Sequence, residues 1–390
     1  MGSLARIMDT PLYDAIKEYN PSARFHMPGT SGETSISPLY LSANFDVTEL
    51  DFSDNLLSAT GVILESEKLT AKRYHSKHCL YFTSGATTAL FTAILVAKDK
   101  VSSFYCLHTP HKSIINAFLL FNVNYQIVDE LPLNAEGIIV TTPDYYGKTI
   151  SVKDIRRKHP EAFIIVDEAH GAHFPYSSLL PKNVGSEADI VINGLHKTLP
   201  VFTGGAILRT EVEEYYQEAK EYRSKIHTTS PSYLTMCSMD YTQGYMTANG
   251  ERLYKELKQK VDNLTLPQGF KKIPTDDFSR LVIEVPEGTT GYAVSKAANK
   301  KGIYFELVES RLLVAILTPF NMDKLPLLEQ LDSNPKAIET KDLSKYIGTV
   351  AKQDIGLYPP GKVYIKKGEI IDAERIEMLQ IEAERVFGLK

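Results

Sequence analysis

From residue 79 onward the chain alternates short apolar runs with helix-like stretches, and this rhythm restricts the fold more than any other feature. Cys79-Leu-Tyr-Phe82 reads as a strand, Thr83-Ser-Gly85 as a turn, and residues 86–97 as a buried helix, since they are nearly all apolar. Further strands are expected at 103–107, 124–128, 137–141, 163–166 and 189–193, then a glycine-led strand at 205–208. Helices are expected at 111–121 and 153–158. Strands that are apolar throughout and interleaved with helices imply a mostly parallel sheet covered on both faces. A long helical region follows at roughly 232–260, and after Pro267 the character changes. Strands at 280–285, 304–308 and 311–317 surround a helix at 292–301, with another helix near 322–331. The expected organisation is an N-terminal segment and a large α/β domain over residues 1–265, then a small α+β domain over 266–390.

Composition narrows the class of partner. Lys and Arg total 43 against 48 Asp and Glu, a formal charge of -5, which offers no general attraction for nucleic acid or an anionic membrane. The longest apolar run, from Ala89 to Ala97, is far short of the ~20 residues that a spanning helix needs. The N-terminus lacks the apolar core of a signal peptide. Three widely separated cysteines, Cys79, Cys106 and Cys237, fit neither a disulfide framework nor a zinc site. A small-molecule partner and a reducing cytoplasm are the expectation.

In sheets of this kind, sites form at the carboxyl ends of the strands, and four polar features fall there. Ser84-Gly85-Ala86-Thr87 is a small-residue turn from strand into helix, where backbone N–H groups and the helix dipole make a phosphate cradle; glycine serves equally for steric reasons. His111 follows the strand ending near Leu107 and is suited to stack on an aromatic cofactor or move protons, or to cap the next helix. Asp167 directly follows Phe163-Ile-Ile-Val166. A carboxylate there needs a partner, which a protonated pyridine nitrogen supplies, and a helix-capping role is the alternative. Lys197, just beyond the strand 189–193, is placed either as a dehydrated Schiff-base nucleophile or as an ordinary solvated charge. Taken together, in this chain order, the four make a cradle, a stacking group, a pyridinium partner and a Schiff-base lysine.

With these residues in view the chain resembles the ornithine/lysine/arginine decarboxylase family of pyridoxal 5'-phosphate (PLP) enzymes, which have the aspartate-aminotransferase fold, over nearly its whole length. The matching stretches are Pro11-Leu-Tyr-Asp-Ala-Ile-Lys17, His26-Met-Pro-Gly29, Asp46-Val-Thr-Glu49 and Pro143-Asp-Tyr-Tyr-Gly147. They continue with Val166-Asp-Glu-Ala-His-Gly-Ala-His173, His196-Lys-Thr-Leu-Pro200, His227-Thr-Thr-Ser-Pro-Ser-Tyr233 and Tyr358-Pro-Pro-Gly361. The resemblance implies that Lys197 carries the cofactor, Asp167 pairs with the ring nitrogen, His111 stacks on one ring face and Ala169 packs on the other. It implies that Gly85, Ala86 and Thr87 hold the phosphate, with His196 beside it and Thr229 reaching it from a second subunit of a homodimer. It further implies a short form, without a separate N-terminal regulatory domain.

The chain departs from the family pattern at Thr30-Ser31, at Leu57 and Ala59, at Gly194 and Leu195 (where hydroxyl residues usually precede His-Lys), at Lys366-Lys367 and at Gln353. These lie mainly on the substrate side. The expected reaction is decarboxylation of a basic amino acid, with Asp54, Glu306, Glu309 and Glu369 as candidate partners for the basic side chain, each equally a surface charge. Transamination is the alternative, with Arg280 or Arg311 holding the α-carboxylate. A homologue retained for a non-catalytic role is the third reading.

Overall fold

A computed structural model describes residues 8–21, 24, 27–28, 30–35, 37–336, 342–357, 362–381 and 386–389. Of the stretches that carry the resemblance, His26, Gly29 and Tyr358–Gly361 lie outside the described residues. The chain divides into two compact units, 1–144 with 149–255, and 145–148 with 256–390, so the division falls within a helix.

In the first unit, helices α1 (Pro11–Glu18) and α2 (Val62–Arg73) precede β1 (His78–Phe82) and α3 (Gly85–Ala97). Next come β2 (Phe104–Leu107), α4 (Lys112–Phe121), β3 (Tyr125–Val128), β4 (Gly137–Thr141), α5 (Val152–Lys158) and β5 (Phe163–Asp167). The series closes with β6 (Ile190–Asn193), β7 (Ala206–Thr210), α6 (Glu213–Ile226) and α7 (Tyr233–Asn263). The seven strands form one sheet in the order β1-β7-β6-β5-β4-β2-β3. It is parallel from β3 through β6, while β7 runs antiparallel to both its neighbours.

Alternation along each strand sends side chains to two separate cores. Ile139, Phe163, Ile165, Ile190 and Ile192 join Ala89, Leu90, Ala93 and Ile94 of α3 and Ile114 and Phe118 of α4 on one face. Ile138, Val140, Ile164, Val166 and Val191 meet Val152 and Ile155 of α5 on the other. Helix α3 is buried from Ala89 to Ala97 except for the partly exposed Phe91, and is apolar there apart from Thr92, whereas α5 buries only Val152 and Ile155 and carries Arg156, Arg157 and Lys158 in its last turn. Each fully buried Ile or Phe contributes roughly 1.5–3 kcal/mol by leaving water.

Helix α6 was not evident in the sequence, because its buried face, Tyr216, Ala219 and Arg223, includes a charge. Arg223 is accommodated by Glu67, 2.8 Å away and equally buried, which also accepts the Tyr81 N–H. Helix α1 lacks a cap from its own Thr10; Asp240 of α7 instead accepts the Tyr13 N–H at 3.0 Å and a short bond from Ser66.

In the second unit, β8 (Lys271–Ile273), β9 (Arg280–Glu284), β10 (Leu307–Val308) and β11 (Leu312–Ile316) form an antiparallel sheet, with α8 (Gly291–Asn299) between β9 and β10 in sequence. Strands β12 (Ile355–Leu357), β13 (Lys362–Ile365) and β14 (Val386–Phe387) make a second small sheet with α9 (Ala373–Ile381). The stretch Met322–Gln330 is 3-10 rather than α-helical, and Pro326 within it has no N–H to continue a helical ladder. Among the described residues no helix is long and apolar enough to cross a membrane.

Burial raises the pKa of Asp240 from 3.8 to about 6, against the hydrogen bonds from Ser66 and Tyr13. Between those values the folded chain binds more protons than the unfolded one, so this group makes stability fall as pH rises through the window, by on the order of 3 kcal/mol. Asp240→Asn should remove that component. Urea unfolding from about pH 4 to about pH 7 should show the variant losing less stability than the parent; parallel profiles would refute the assignment.

Candidate active site

Strands β1 and β4–β6 all end at the same edge of the sheet, where the antiparallel β7 begins, so strand order dictates what lies beside what. Along that edge come the Thr83–Gly85 turn, the Gly204-Gly205 pair before β7, Lys197 beyond β6, Asp167 at the end of β5, Thr141 at the end of β4, and His111 beyond β2. Residues separated by more than a hundred positions in sequence thus become neighbours along one rim.

Lys197 closes a short 3-10 turn, Leu195–Lys197, and its Nζ lies 3.1 Å from Nε2 of the buried His170. A cationic amine donates here to an imidazole lone pair, while a neutral amine can donate or accept according to the histidine tautomer. The lysine stem runs along Gly194: a Cβ on that residue would meet the Ala169 carbonyl at 3.1 Å and Lys197 Cδ at 3.3 Å. Glycine at 194, one of the departures from the family pattern, therefore gives the stem its room, and Leu195 beside it is fully buried. Asp167 is buried, and its Oδ1 accepts the Ala169 N–H at 3.1 Å.

His111 takes up the capping reading, and it also lies within electrostatic reach of the strand-end residues. It caps α4, accepting the Ser113 N–H at 3.2 Å through Nδ1, and it also faces Asp167 and Lys197 electrostatically. Burial pushes its pKa down, Asp167 opposes this and Lys197 adds to it. Its surroundings thus favour the neutral imidazole.

Two glycines clasp the turn into α3. Gly85, at φ +84, donates its N–H to Gly204 O at 2.8 Å, and Gly204, at φ +103, leaves no room for a Cβ, which would lie 2.4 Å from Thr83 O. The Gly85 N–H is thereby spent inside the chain, which leaves the backbone N–H groups of Ala86 and Thr87 as the anion donors of the turn. Nothing lies within 4 Å of where a Gly85 Cβ would sit, so a ligand has open space there. Ser84 supplies no side-chain cap to α3. His196 bonds Gly205 O through Nδ1 at 2.9 Å, joining the Lys197 turn to this clasp, and burial lowers its pKa. His227 accepts the Thr83 N–H at 3.1 Å through Nε2, tying the Thr228-Thr229 segment to the same turn, while Thr229 itself is exposed.

Below the rim, Glu168 accepts bonds from Val184 N–H at 2.7 Å, Asn193 at 2.9 Å and Arg209 at 2.8 Å. Arg209 is 1% exposed and covers the Tyr74 ring as well. Burial raises the Glu168 pKa to about 7 against the pull of Arg209. Two further buried hydroxyl oxygens, Thr141 Oγ1 and Thr198 Oγ1, find no hydrogen-bond partner among the described residues.

Sequence reasoning missed His170 and Thr141; the legible signal for His170 was a histidine three residues after a strand-end aspartate. Several substrate-side candidates have structural duties instead. Asp54 accepts backbone N–H groups of Asn55, Thr60, Gly61 and Ile63, thereby capping α2. In the second unit, Glu309 accepts the Tyr146 hydroxyl at 2.6 Å and Glu369 pairs with Arg375 at 2.7 Å, while Glu306 is exposed. Arg311 donates to the carbonyls of Val285 and Pro286, and Arg280 is 1% exposed.

Comparison with known proteins places this geometry in context. Residues 121–266 match the family described as Orn/Lys/Arg decarboxylase, major domain. The chain is 26% identical to the uncharacterized protein YaaO of Bacillus subtilis, covering 95% of this chain and 94% of that one. It is 23% identical to an arginine decarboxylase of the same organism, covering 95% and 93%. Its fold is similar to that of the lysine decarboxylase LdcF of Francisella novicida, with a TM-score of 0.73 at 14% identity, over 96% of this chain and 77% of that one.

Gly204→Ala tests the clasp. A Cβ at positive φ against the Thr83 carbonyl should cost about 2 kcal/mol or more. Chemical denaturation measures it; a loss under about 0.5 kcal/mol would mean that the turn tolerates rearrangement.

Proposed function

We propose, from the premise that this chain belongs to the Orn/Lys/Arg decarboxylase family and has the fold of type I PLP enzymes, that it is a PLP-dependent decarboxylase converting a basic amino acid (lysine, arginine or ornithine) to the amine and CO2. The observation that carries this reading is the rim on which Lys197, Asp167 and His111 follow one another in strand order, Lys197 and Asp167 on neighbouring strands and His111 one strand further beyond β4, with the open Gly85 turn on the same edge. Enzymes of this family typically use PLP. The residues present fit that group. A buried carboxylate awaits a ring nitrogen, a neutral imidazole suits a ring face, two buried hydroxyls are without partners, and a helix N-terminus with open space suits a phosphate.

When bound, PLP supplies an electron sink for the pair left behind by departing CO2. Lys197 would be the attachment point, and His170, hydrogen-bonded to its Nζ at 3.1 Å, would orient it. Asp167 keeps a proton on the ring nitrogen, because a buried carboxylate left unpaired is costly. Ala86 and Thr87 donate backbone N–H groups to the phosphate. With cofactor and substrate in place, the Lys197 amine would be positioned to return a proton to the α-carbon, and His170 beside it would serve as relay. Arg311, whose guanidinium is committed to carbonyl oxygens, is poorly suited to clasp a substrate carboxylate as transamination would need.

The same reading includes a homodimer in which Thr229, exposed in the single chain, meets the phosphate of the partner's site, and a reducing cytoplasmic setting that matches three unpaired buried cysteines. Light scattering should return twice the mass of one chain, and a monomer would remove the shared site.

The decisive assay measures CO2 release by PLP-loaded protein from L-lysine, L-arginine and L-ornithine in turn, with Lys197→Ala as control. Release from at least one substrate is expected, falling roughly 10³-fold or more in the control. Silence on all three with the cofactor's visible absorption band present would overturn the reaction. Silence without the band would overturn the cofactor as well.

A further inference from the structure

The C-terminal rim of the sheet holds Thr141, a polar side chain that the mechanism above does not use. Thr141 ends β4, which lies between β5, ending in Asp167, and β2, which leads to His111. Thr141 and Asp167 are register partners in a parallel pair, and the Thr142 N–H donates to Asp167 O at 3.0 Å. Both side chains therefore point to the face that carries α3, as do Ile139 and Ile165 two residues earlier on the same strands. On this face the hydroxyl oxygen of Thr141 is buried and bonded to nothing among the described residues. Its neighbour Thr142, pointing the other way, has an ordinary structural partner, accepting the Ile150 N–H at 2.9 Å.

A buried hydroxyl without a partner costs about 1–3 kcal/mol, and such groups in folded chains await a ligand or a water. By strand order this hydroxyl belongs to the strand between those of the proposed ring-nitrogen partner, Asp167, and the proposed stacking residue, His111. Thr141 as a residue is only partly buried, but its hydroxyl oxygen is buried, as are Asp167 and Ala169.

We infer that Thr141 is a positioning residue for the cofactor ring, its hydroxyl completing the polar edge beside Asp167 once the ring is in place. This rests on the reading of the site as a PLP site and adds to it a residue that sets how firmly the ring is held and how its nitrogen edge is tuned. Loss of the hydroxyl weakens retention of the ring. It also changes the environment of the Asp167 carboxylate, so the pH at which the cofactor's absorption changes should move.

The experiment titrates PLP into apoprotein of the parent, Thr141→Val, Thr141→Ala and Thr141→Ser, reading the visible band and its pH titration, with thermal unfolding of each apoprotein alongside. Valine and alanine variants should bind the cofactor about tenfold more weakly and titrate at a different pH, while serine, which keeps the hydroxyl, should restore both. Two substitutions of different volume separate loss of the hydroxyl from damage to packing. Parental affinity and titration in either the valine or the alanine variant would overturn the inference, as would a serine variant no better than valine. If the parent itself takes up no PLP, the functional reading fails and this inference with it; if only the variants match the parent, Thr141 alone is excluded.

Discussion

The knot of Glu168, Asn193 and Arg209 beneath the rim is the interaction on which the site depends. Glu168 is the first residue after β5, Asn193 the last of β6 and Arg209 the fourth of β7, so one buried group of bonds ties three strands together at one level. Desolvating both charges is expensive, and the mutual attraction offsets it only because Val184, Tyr74 and Ser76 satisfy further donors and acceptors. Removing one partner of such a pair typically costs about 3–5 kcal/mol, since the other charge is left stranded. Asp167 and Lys197 lie one and four residues from members of this knot.

Above it, the electrostatics of the rim are arranged around a lysine. The histidines for which burial has a resolved effect, His111, His196 and His227, are all pushed toward the neutral form, and two of them feel Lys197 as a further reason to stay neutral. Neutral imidazoles can accept as well as donate, which is how His227 holds the Thr83 N–H and how His111 caps α4 while still facing the site. The glycine clasp supplies the complementary feature, a backbone approach too close for any side chain. Its carbonyl takes the Gly85 N–H and leaves the following N–H groups for an anion.

Much of this was legible in sequence, for reasons that are local. Apolar runs of strand length reported β1, β2, β4, β5 and β6 because strands buried on both faces must be apolar at every position. The polar residues terminating those runs, Asp167 and Lys197, stood out because a charge adjoining a buried strand demands a reason. Helix α6 escaped because its buried stripe includes Arg223, whose partner Glu67 is 156 residues away. The 3-10 character of Met322–Gln330 escaped because apolar spacing at short range does not distinguish it from an α-helix, although Pro326 was the available sign.

What the sequence alone determined is therefore the set of elements, the parallel α/β character of the large sheet and the identity of the strand-end residues. These follow from side-chain polarity and periodicity within a few positions of each residue. Only the tertiary structure decided strand order, and with it the neighbours on the rim. Order places Thr141 between Asp167 and His111, brings Gly204 onto Gly85 and sets His170 against Lys197 Nζ. It also gave Asp54 a structural duty, accepting backbone N–H groups at the start of α2. Pairing between distant segments depends on which faces bury together and which buried charges find partners, and no local pattern along the chain encodes that.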